Sequence, residues 1–443
     1  MSEKNKLGSW SIVLLGINSI IGSGIFLLPN KAYNLMGVGS IFVIIFDMIL
    51  VLSIALCFAE AGGMFKKNGG PYVYAKEAFG DFVGFEVGFM KWIIGIIAWA
   101  AMAAAFAQAL SKVWPAAGDG VVKAVIIIII LGGLGIVNIL GVQISKILNN
   151  VITVGKLLPL ILFVAVGIFF LNKGNFTPVI PQNVSASTNF AAAALLMFYA
   201  FTGFESIAVA AEDMHNPEKD VPKAIMTVMA IVSLFYILIL VVSIGALGPK
   251  LATSVAPIAD AANIFLGPIG SSIVTAGTLI SIGGINIAAS FITPRSGVAL
   301  AEDGILPKFI AKNGKHGTPV YAILITVVLA ILLALSGSFA KLAAISVISR
   351  FVQYLPTCLA IPVLRKKRPE LVRTFKIPLG PVIPIFAVVV SCWLVYNSDI
   401  SKILFGLGGL LIGVPVYLVM KKLKTKKIQN IDSDIKLFLK KMV

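Results

Sequence analysis

The chain has 443 residues, of which 58% are apolar and 12% charged, and its mean hydropathy is +1.00. Soluble domains carry about 25% charged residues, so this chain has too little polar surface to cover a water-facing shell. The composition excludes soluble enzymes, disordered proteins and coiled coils, and it indicates a protein in lipid. The net charge of +17 is therefore first an orientation signal, and we expect no nucleic acid partner.

Twelve segments are long and apolar enough to cross a membrane as helices, which takes about 20 residues each. Their apolar runs are continuous, whereas strands of a membrane barrel alternate between apolar and polar residues. The sequence therefore predicts an all-α integral membrane protein with 12 transmembrane helices. The predicted spans are Leu7–Pro29, Gly39–Ala61, Phe82–Leu110, Val121–Gly141, Asn149–Leu171, Phe190–Ala211, Ala224–Leu247, Ile269–Ile292, Val320–Leu335, Phe339–Val363, Val382–Tyr396 and Ile403–Met420.

The basic residues predict the orientation of these spans. Of the 36 Lys and Arg residues, Lys156 and Arg350 are assigned to the interior of spans, and the others are counted with the loops and span ends, most of them on the side of the N-terminus. Because positive charge is retained inside, both termini are predicted to be cytoplasmic, in a multi-pass protein of a bacterial plasma membrane. Span one has no small-residue cleavage site, so we expect no cleaved signal peptide.

The cysteines and histidines give no sign of a catalytic or metal site. The three cysteines lie singly in apolar stretches, and the two histidines lie in polar loops without ligand partners nearby. Such a pattern matches neither a disulfide framework nor a metal or catalytic cluster. We expect no metal, no cofactor and no enzymatic activity.

Two predicted spans are interrupted in the middle by small residues. Span one contains Gly22-Ser23-Gly24, and span six contains Thr202-Gly203-Phe204-Glu205. Glycine lowers the cost of leaving the helix, and Ser or Thr hydroxyls satisfy the freed backbone groups. Spans one and six begin two halves of five spans, and paired interruptions in inverted halves indicate a transport site. The alternative is that these glycines only permit close helix packing.

The halves define a single membrane transport domain over residues 1–443. Residues 1–171 form the first inverted repeat and 190–363 the second, followed by helices 11 and 12 in 382–420 and a basic cytoplasmic tail in 421–443. The half-helix after Gly22 offers N–H groups and a positive dipole end to a carboxylate. Half-helices ending near Ile20 and Tyr199 offer carbonyls to an ammonium group. Such a site suits a free amino acid.

A series of short motifs occurs in order along the chain. They are Ile20-Ile21-Gly22-Ser23-Gly24-Ile25-Phe26, Ala59-Glu60, Gly69-Gly70-Pro71-Tyr72, Tyr199-Ala200-Phe201-Thr202-Gly203-Phe204-Glu205, Glu212-Asp213, Asn216-Pro217, Val221-Pro222-Lys223-Ala224-Ile225, Ala301-Glu302-Asp303-Gly304-Ile305-Leu306-Pro307 and Gly317-Thr318-Pro319. In these motifs the chain resembles permeases of the amino acid–polyamine–organocation (APC) superfamily, with the leucine-transporter-type fold. The resemblance covers about Leu7 to Met420, and in style it points to sodium-independent neutral amino acid exchangers and proton-coupled permeases.

The resemblance implies a role for each matched position. The substrate site is expected at the break around Gly22. The carboxylate is expected at the N–H groups of Ser23, Gly24 and Ile25 and at the Ser23 hydroxyl, and the ammonium at the carbonyls of Ile20, Tyr199 and Thr202. Gating positions are Tyr199, Phe201 and Tyr236, and the side-chain subsite is expected at Tyr236, Ile282, Ile285 and Asn286. For the subsite residues, ordinary bundle packing is the alternative. The Gly69-Gly70-Pro71-Tyr72 stretch is expected in a cytoplasmic loop helix at the inward gate, or as a simple turn.

Lys156 lies in the middle of span five, where a lysine costs about 2.5–3.5 kcal/mol on insertion scales. It must therefore face protein or water. The resemblance implies that it binds freed carbonyls of span one and hydroxyls of span eight, such as Ser281, in place of sodium. If Lys156 releases its proton during transport, it couples transport to protons; if it stays charged, transport is exchange.

Glu205 has three alternative roles: it pairs a basic substrate, carries a proton, or stabilises the break by accepting hydrogen bonds from span one or three. We favour the stabilising role with some proton sensitivity. Arg350 in span ten and Asp47 in span two are further intramembrane charges. Such residues are functional by default, although no motif assigns a role to these two.

The sequence thus predicts a secondary active transporter of small or neutral L-amino acids that works by alternating access. Sodium-independent proton symport and amino acid exchange both remain open, as do a monomer and a homodimer. The alternative is a polyamine or cationic amino acid antiporter in which Glu205 binds the distal amine, but Lys156 would repel a dication. A channel or scaffold would need a polar stripe or a soluble domain, and the sequence shows neither.

Overall fold

The computed structural model describes residues 9–65, 70–141, 146–180, 186–209, 214, 216–304 and 306–442. The architecture is all-helical, as predicted. The α-helices, with short 3-10 turns between some of them, are α1 Ser9–Ile20, α2 Ser23–Leu27, α3 Pro29–Met36, α4 Ser40–Met64, α5 Pro71–Phe79, α6 Asp81–Leu110, α7 Gly120–Ile139, α8 Lys146–Gly167, α9 Ala186–Phe198, α10 Glu205–Val209, α11 Pro217–Leu247, α12 Pro257–Glu302, α13 Val320–Leu335, α14 Phe339–Lys367, α15 Val382–Tyr396 and α16 Ile400–Met442.

Eight helical segments of the described chain are long and apolar enough to cross a membrane. They are Pro29–Met64, Asp81–Leu110, Gly120–Ile139, Ile152–Phe170, Glu218–Thr253, Pro257–Glu302, Phe339–Lys367 and Ile400–Leu423. Four shorter apolar helices, Ile12–Leu27, Thr188–Phe201, Val320–Leu335 and Val382–Tyr396, coincide with predicted spans one, six, nine and eleven. The multi-pass membrane architecture is confirmed, while the count of twelve spans and the inverted repeat stay predictions.

Burial separates the centre of the bundle from its edge. The most apolar 18-residue window is 67% buried in α14 and 61% buried in α6, against 22% in α7 and 17% in Ile400–Leu423. Residues such as Ile129 and Leu411 expose large apolar side chains on the outside. Since lipid is as apolar as these side chains, their exposure is favourable in a membrane. Helices α6 and α14 therefore form the centre, next to the two broken helices.

Small residues bring the helices close together. A Cβ atom on Gly62 of α4 would lie 2.7 Å from Val221 of α11, and one on Gly297 of α12 would lie 2.7 Å from Trp92 of α6. The indole N–H of Trp92 also donates to the Thr326 hydroxyl of α13, at 3.0 Å. Close backbone approach of this kind is how membrane helices pack without a hydrophobic driving force between them.

Helices α12 and α16 extend furthest beyond the predicted spans. Span eight was expected over Ile269–Ile292, but α12 runs over Pro257–Glu302 with a kink at Gly267. Span twelve was expected over Ile403–Met420, but α16 continues to Met442 and includes most of the basic tail. A hydropathy criterion measures only the apolar part of a helix, because polar residues outside the hydrocarbon also adopt helical structure.

Candidate substrate and ion site

The first helix break follows α1. Helix α1 ends at Ile20, Gly22 has the non-helical angles φ −133° and ψ −148°, and α2 begins at Ser23. A Cβ on Gly22 would lie 2.7 Å from Ile285 of α12, and one on Gly24 would lie 2.6 Å from the Cα of Ala200. The unwound segment is therefore pressed against the backbone of the second broken helix.

The second break follows α9. Helix α9 ends at Phe198, a 3-10 turn covers Tyr199–Phe201, and α10 begins at Glu205. Gly203 has φ +115°, and any Cβ there would collide with the carbonyl oxygen of Ser19 in α1. This left-handed backbone, together with the close approach, requires glycine. The two interruptions that the sequence predicts are thus in direct contact.

Two carbonyls predicted to bind the substrate ammonium have protein donors in this conformation. The Tyr236 hydroxyl lies 3.3 Å from the carbonyl oxygen of Ile20, at the first break, and 3.1 Å from that of Ala200, at the second. It donates to these two oxygens. The Tyr199 carbonyl accepts from the Thr202 hydroxyl at 2.8 Å and from the Thr202 N–H at 3.2 Å. Tyr236, predicted as a gate and subsite residue, therefore bridges the two breaks.

Aromatic rings enclose the breaks. Phe201 is fully buried, and its ring centroid lies 5.2 Å from that of Tyr236. Tyr199 is 3% exposed and packs edge-on against Phe339 of α14. Its buried hydroxyl has no hydrogen-bond partner among the described residues. The predicted gate residues Tyr199 and Phe201 thus cover the unwound segments.

The predicted subsite residues of α12 lie along the first break. Ile285 contacts Gly22, and the Asn286 amide donates to the carbonyls of Met102, at 3.1 Å, and Ile282, at 2.9 Å. The buried Asn286 side-chain oxygen has no hydrogen-bond partner among the described residues. Ile282 is fully buried. The structure therefore places these residues beside the unwound segment, and their contact with a substrate stays a prediction.

Met102 of α6 is a neighbour that the sequence reasoning missed. Its sulfur lies 3.2 Å from the Ser23 hydroxyl, which donates to it, and its methyl group would lie 3.3 Å from a Cβ on Gly22. A methionine within a long apolar helix carries no signal in the sequence. Only the packing of α6 against α2 and α12 places it here.

Lys156 is fully buried and lies against the end of α1. Its ammonium donates to the carbonyl oxygens of Asn18, at 2.5 Å, and Ile21, at 2.9 Å. Helix α8 approaches α12 closely here, since a Cβ on Gly277 would lie 2.6 Å from Pro159. The expected bond to Ser281 is absent, because the Ser281 hydroxyl is buried without a partner in the described chain.

Glu205 accepts hydrogen bonds from its own break and from α14. One carboxylate oxygen accepts from the Gly203 N–H at 2.9 Å and from the Tyr354 hydroxyl at 3.0 Å. The other forms an ion pair with Arg350. The expectation of a bond from span one or three is wrong, because Arg350 and Tyr354 both belong to span ten. Of the two unassigned charges, Arg350 is thus the partner of Glu205, while the Asp47 carboxylate is buried without a partner in the described chain.

One end of the bundle is closed by a second buried carboxylate. Glu60 of α4 accepts from Arg365 at 2.8 and 2.5 Å and from the Ile377 N–H at 2.8 Å. The Lys367 ammonium donates to the Ala78 carbonyl of the loop helix α5 at 3.1 Å. The predicted gate motif lies at this end, with Gly70 and Pro71 at the start of α5. Gly69, Glu212, Asp213 and Ile305 of the motifs lie outside the described residues.

Comparison with known proteins identifies the family of this chain. The model of an amino acid permease family matches residues 7–420. The chain belongs to this amino acid permease family, within the APC superfamily. The members of the family are transporters, so the family supports amino acid transport across a membrane as the general activity.

Characterised and uncharacterised permeases are similar over nearly their whole length. An uncharacterized transporter of Mycobacterium tuberculosis is 33% identical over 91% of this chain and 90% of its own. The serine/threonine exchanger SteT of Bacillus subtilis is 31% identical over 95% of this chain and 98% of its own. The branched-chain amino acid permease BcaP of the same species is 29% identical, over 96% and 95%.

Proposed function

We propose that this permease is a secondary active transporter of small or neutral L-amino acids that works by alternating access without sodium. The observation that carries the proposal is the contact of Lys156 with the Asn18 and Ile21 carbonyls. Freed carbonyls at a broken helix are what a coupling cation binds in this class of fold. The Lys156 ammonium would supply the positive charge in that place, where its bonds already occupy two of the carbonyls that sodium would need.

The two breaks are the proposed substrate site. The N–H groups at the start of α2 would bind the carboxylate, and the carbonyls of Ile20, Tyr199 and Thr202 would bind the ammonium. In the present conformation Tyr236 and Thr202 donate to the carbonyls of Ile20 and Tyr199. We infer that a substrate replaces these internal donors when the breaks separate, which makes binding and opening one event.

The proposed topology is twelve spans in two inverted halves of five, followed by two further helices. The eight long helices and the four shorter apolar ones support that number. We propose a cell membrane location with both termini in the cytoplasm, on the basis of the basic residues between spans and in the tail. The closed end at Glu60 and Arg365 would then face the cytoplasm.

The relatives favour a neutral substrate. SteT is named for serine and threonine, and BcaP is named for branched-chain amino acids. The amino acids in both names have uncharged side chains. The residues packed around the first break, the buried Ile282 and the partly buried Ile285 and Met102, are uncharged as well. Polyamine transport would require a free acid for the distal amine, whereas Glu205 is paired with Arg350.

Reconstituted vesicles test this proposal. We expect the purified protein to take up labelled serine, threonine or leucine faster than putrescine or arginine, with no dependence on sodium. Uptake that requires an amino acid inside the vesicle identifies exchange, and uptake driven by a proton gradient into empty vesicles identifies symport. Faster uptake of putrescine, or a requirement for sodium, would contradict the proposal.

A further inference from the structure

Helix α14 lies along both halves of the second broken helix. Phe351 and Tyr354 pack against Phe198 before the break, with ring centroids 5.5 and 6.2 Å apart. Tyr354 also packs against Phe204 after the break, at 5.6 Å. One face of α14 therefore spans the interruption and supports it on both sides.

The same face of α14 supplies the polar contacts of the break. Arg350 and Tyr354, one helical turn apart, both bind the Glu205 carboxylate. Glu205 in turn accepts the N–H of Gly203, the residue whose backbone meets Ser19 of α1. A continuous set of contacts thus leads from α14, through one carboxylate, to the point where the two breaks touch.

The ion pair is largely shielded from solvent. The side chains of Arg350 and Glu205 are 13% and 11% exposed, and the buried Arg350 Nε has no hydrogen-bond partner among the described residues. A buried charge without its partner is strongly destabilising, whereas removing both charges together is often neutral. The function of this pair can therefore be separated from its charge by combining substitutions.

We propose that Arg350 and Tyr354 are positioning residues of the transport site, because through Glu205 they hold Gly203 in the conformation that joins the two breaks. Neither residue belongs to the substrate site proposed above. The inference rests on the proposed transport function, and it assigns a role to Arg350, an intramembrane cation that no motif explains.

The test is a set of variants measured for initial uptake rates over a range of amino acid concentrations. We expect Arg350→Met to raise KM by about tenfold to a hundredfold, because a displaced backbone misplaces the binding groups. Glu205→Gln combined with Arg350→Met should restore KM to within a few-fold of wild type, since a glutamine oxygen still accepts from the Gly203 N–H. Tyr354→Phe should raise KM less than Arg350→Met.

The charge-swapped variant Glu205→Arg with Arg350→Glu separates positioning from charge balance. It rebuilds an ion pair, but an arginine at position 205 offers no acceptor to Gly203. We expect it to remain as defective as Arg350→Met. If the swapped variant is restored as fully as the neutral double variant, charge balance alone matters and the positioning role is wrong.

A matched control is the ion pair between Lys112 and Asp260, which lie 2.5 Å apart and whose described side-chain hydrogen bonds reach neither break. Lys112→Met with Asp260→Asn should leave KM unchanged. Hydrogen exchange of detergent-purified protein supplies a readout that does not need transport. Exchange in the segment containing Gly203 should rise in Arg350→Met and return in the neutral double variant. Unchanged exchange in Arg350→Met would overturn the inference, whereas absence of amino acid uptake by wild type would overturn only the proposed function.

Discussion

The two helix breaks are held by buried charges of opposite sign. At the first break the Lys156 ammonium binds carbonyl oxygens that the end of α1 leaves free. At the second, the Glu205 carboxylate binds the Gly203 N–H at the start of α10. Each charge therefore complements the dipole end that faces it and satisfies backbone groups that have no intrahelical partner.

The difference between the breaks is the counter-ion. Glu205 is neutralised by Arg350, whereas no carboxylate of the described chain lies within ion-pair distance of Lys156. Loss of a proton from Lys156 would leave a neutral amine that still fits its site, but protonation of Glu205 would leave Arg350 buried and unpaired. From this contrast we expect that, if either break changes charge during transport, it is the first, and that the second keeps its charge.

The largest expected effect comes from filling either break. In Gly24→Val the new side chain meets the Ala200 backbone, and in Gly203→Val it meets the Ser19 carbonyl in a strained conformation. We expect each variant to lower uptake at least about a hundredfold, because the substrate can no longer reach the backbone groups of the protein that bind it. Gly133→Val is the control, since nothing lies within 4 Å of a Cβ there. If Gly24→Val binds the substrate with wild-type affinity, the substrate site does not lie at the first break.

Removal of the cation is the next largest effect and tests the contrast directly. Lys156→Ala leaves the Asn18 and Ile21 carbonyls without their donor. We expect a protein that still reaches the membrane, with uptake strongly reduced or no longer dependent on pH between about pH 5 and pH 8. Lys123→Ala, which changes a lysine outside the breaks, is the matched control. Unchanged uptake across that range would show that the two breaks do not differ in the way described.

The smallest effect is expected where the breaks share one donor. Tyr236→Phe removes the hydroxyl between the Ile20 and Ala200 carbonyls without changing the packing of the ring against Phe201. A net hydrogen bond contributes about 1 kcal/mol, so we expect a change in KM of about fivefold. Uptake kinetics of the purified variant measure it. A loss as large as that of Gly24→Val would mean that the hydroxyl contacts the substrate itself.

Several parts of the site were predictable because they break a local pattern. Gly22, Gly24 and Gly203 interrupt apolar helices, and Lys156 places a charge where lipid would reject it. These departures identify both breaks and the buried cation without any knowledge of packing. The ends of α12 and α16 were less predictable, because polar helical turns outside the hydrocarbon have no hydropathy signal.

Partners across the bundle were beyond the sequence. We expect from the sequence that Glu205 binds span one or three, yet apart from the Gly203 N–H its donors come from α14, some 145 residues further along the chain. Met102 looks like any apolar residue of α6, although it contacts both Ser23 and Gly22. Which side chain reaches which break depends on helix rotation and depth, and a continuous apolar helix has no strong amphipathic pattern that fixes either.

By itself the sequence determined a lipid solvent, the places where two helices unwind and the sign of the charge near each of them. These follow from composition and local backbone preference, which act over a few residues. Only the tertiary structure decided that the breaks touch, that Tyr236 bridges them and that Arg350 neutralises Glu205. Such pairings are set by close packing among helices far apart in the chain, where the shape of small residues, and not hydropathy, selects the neighbour.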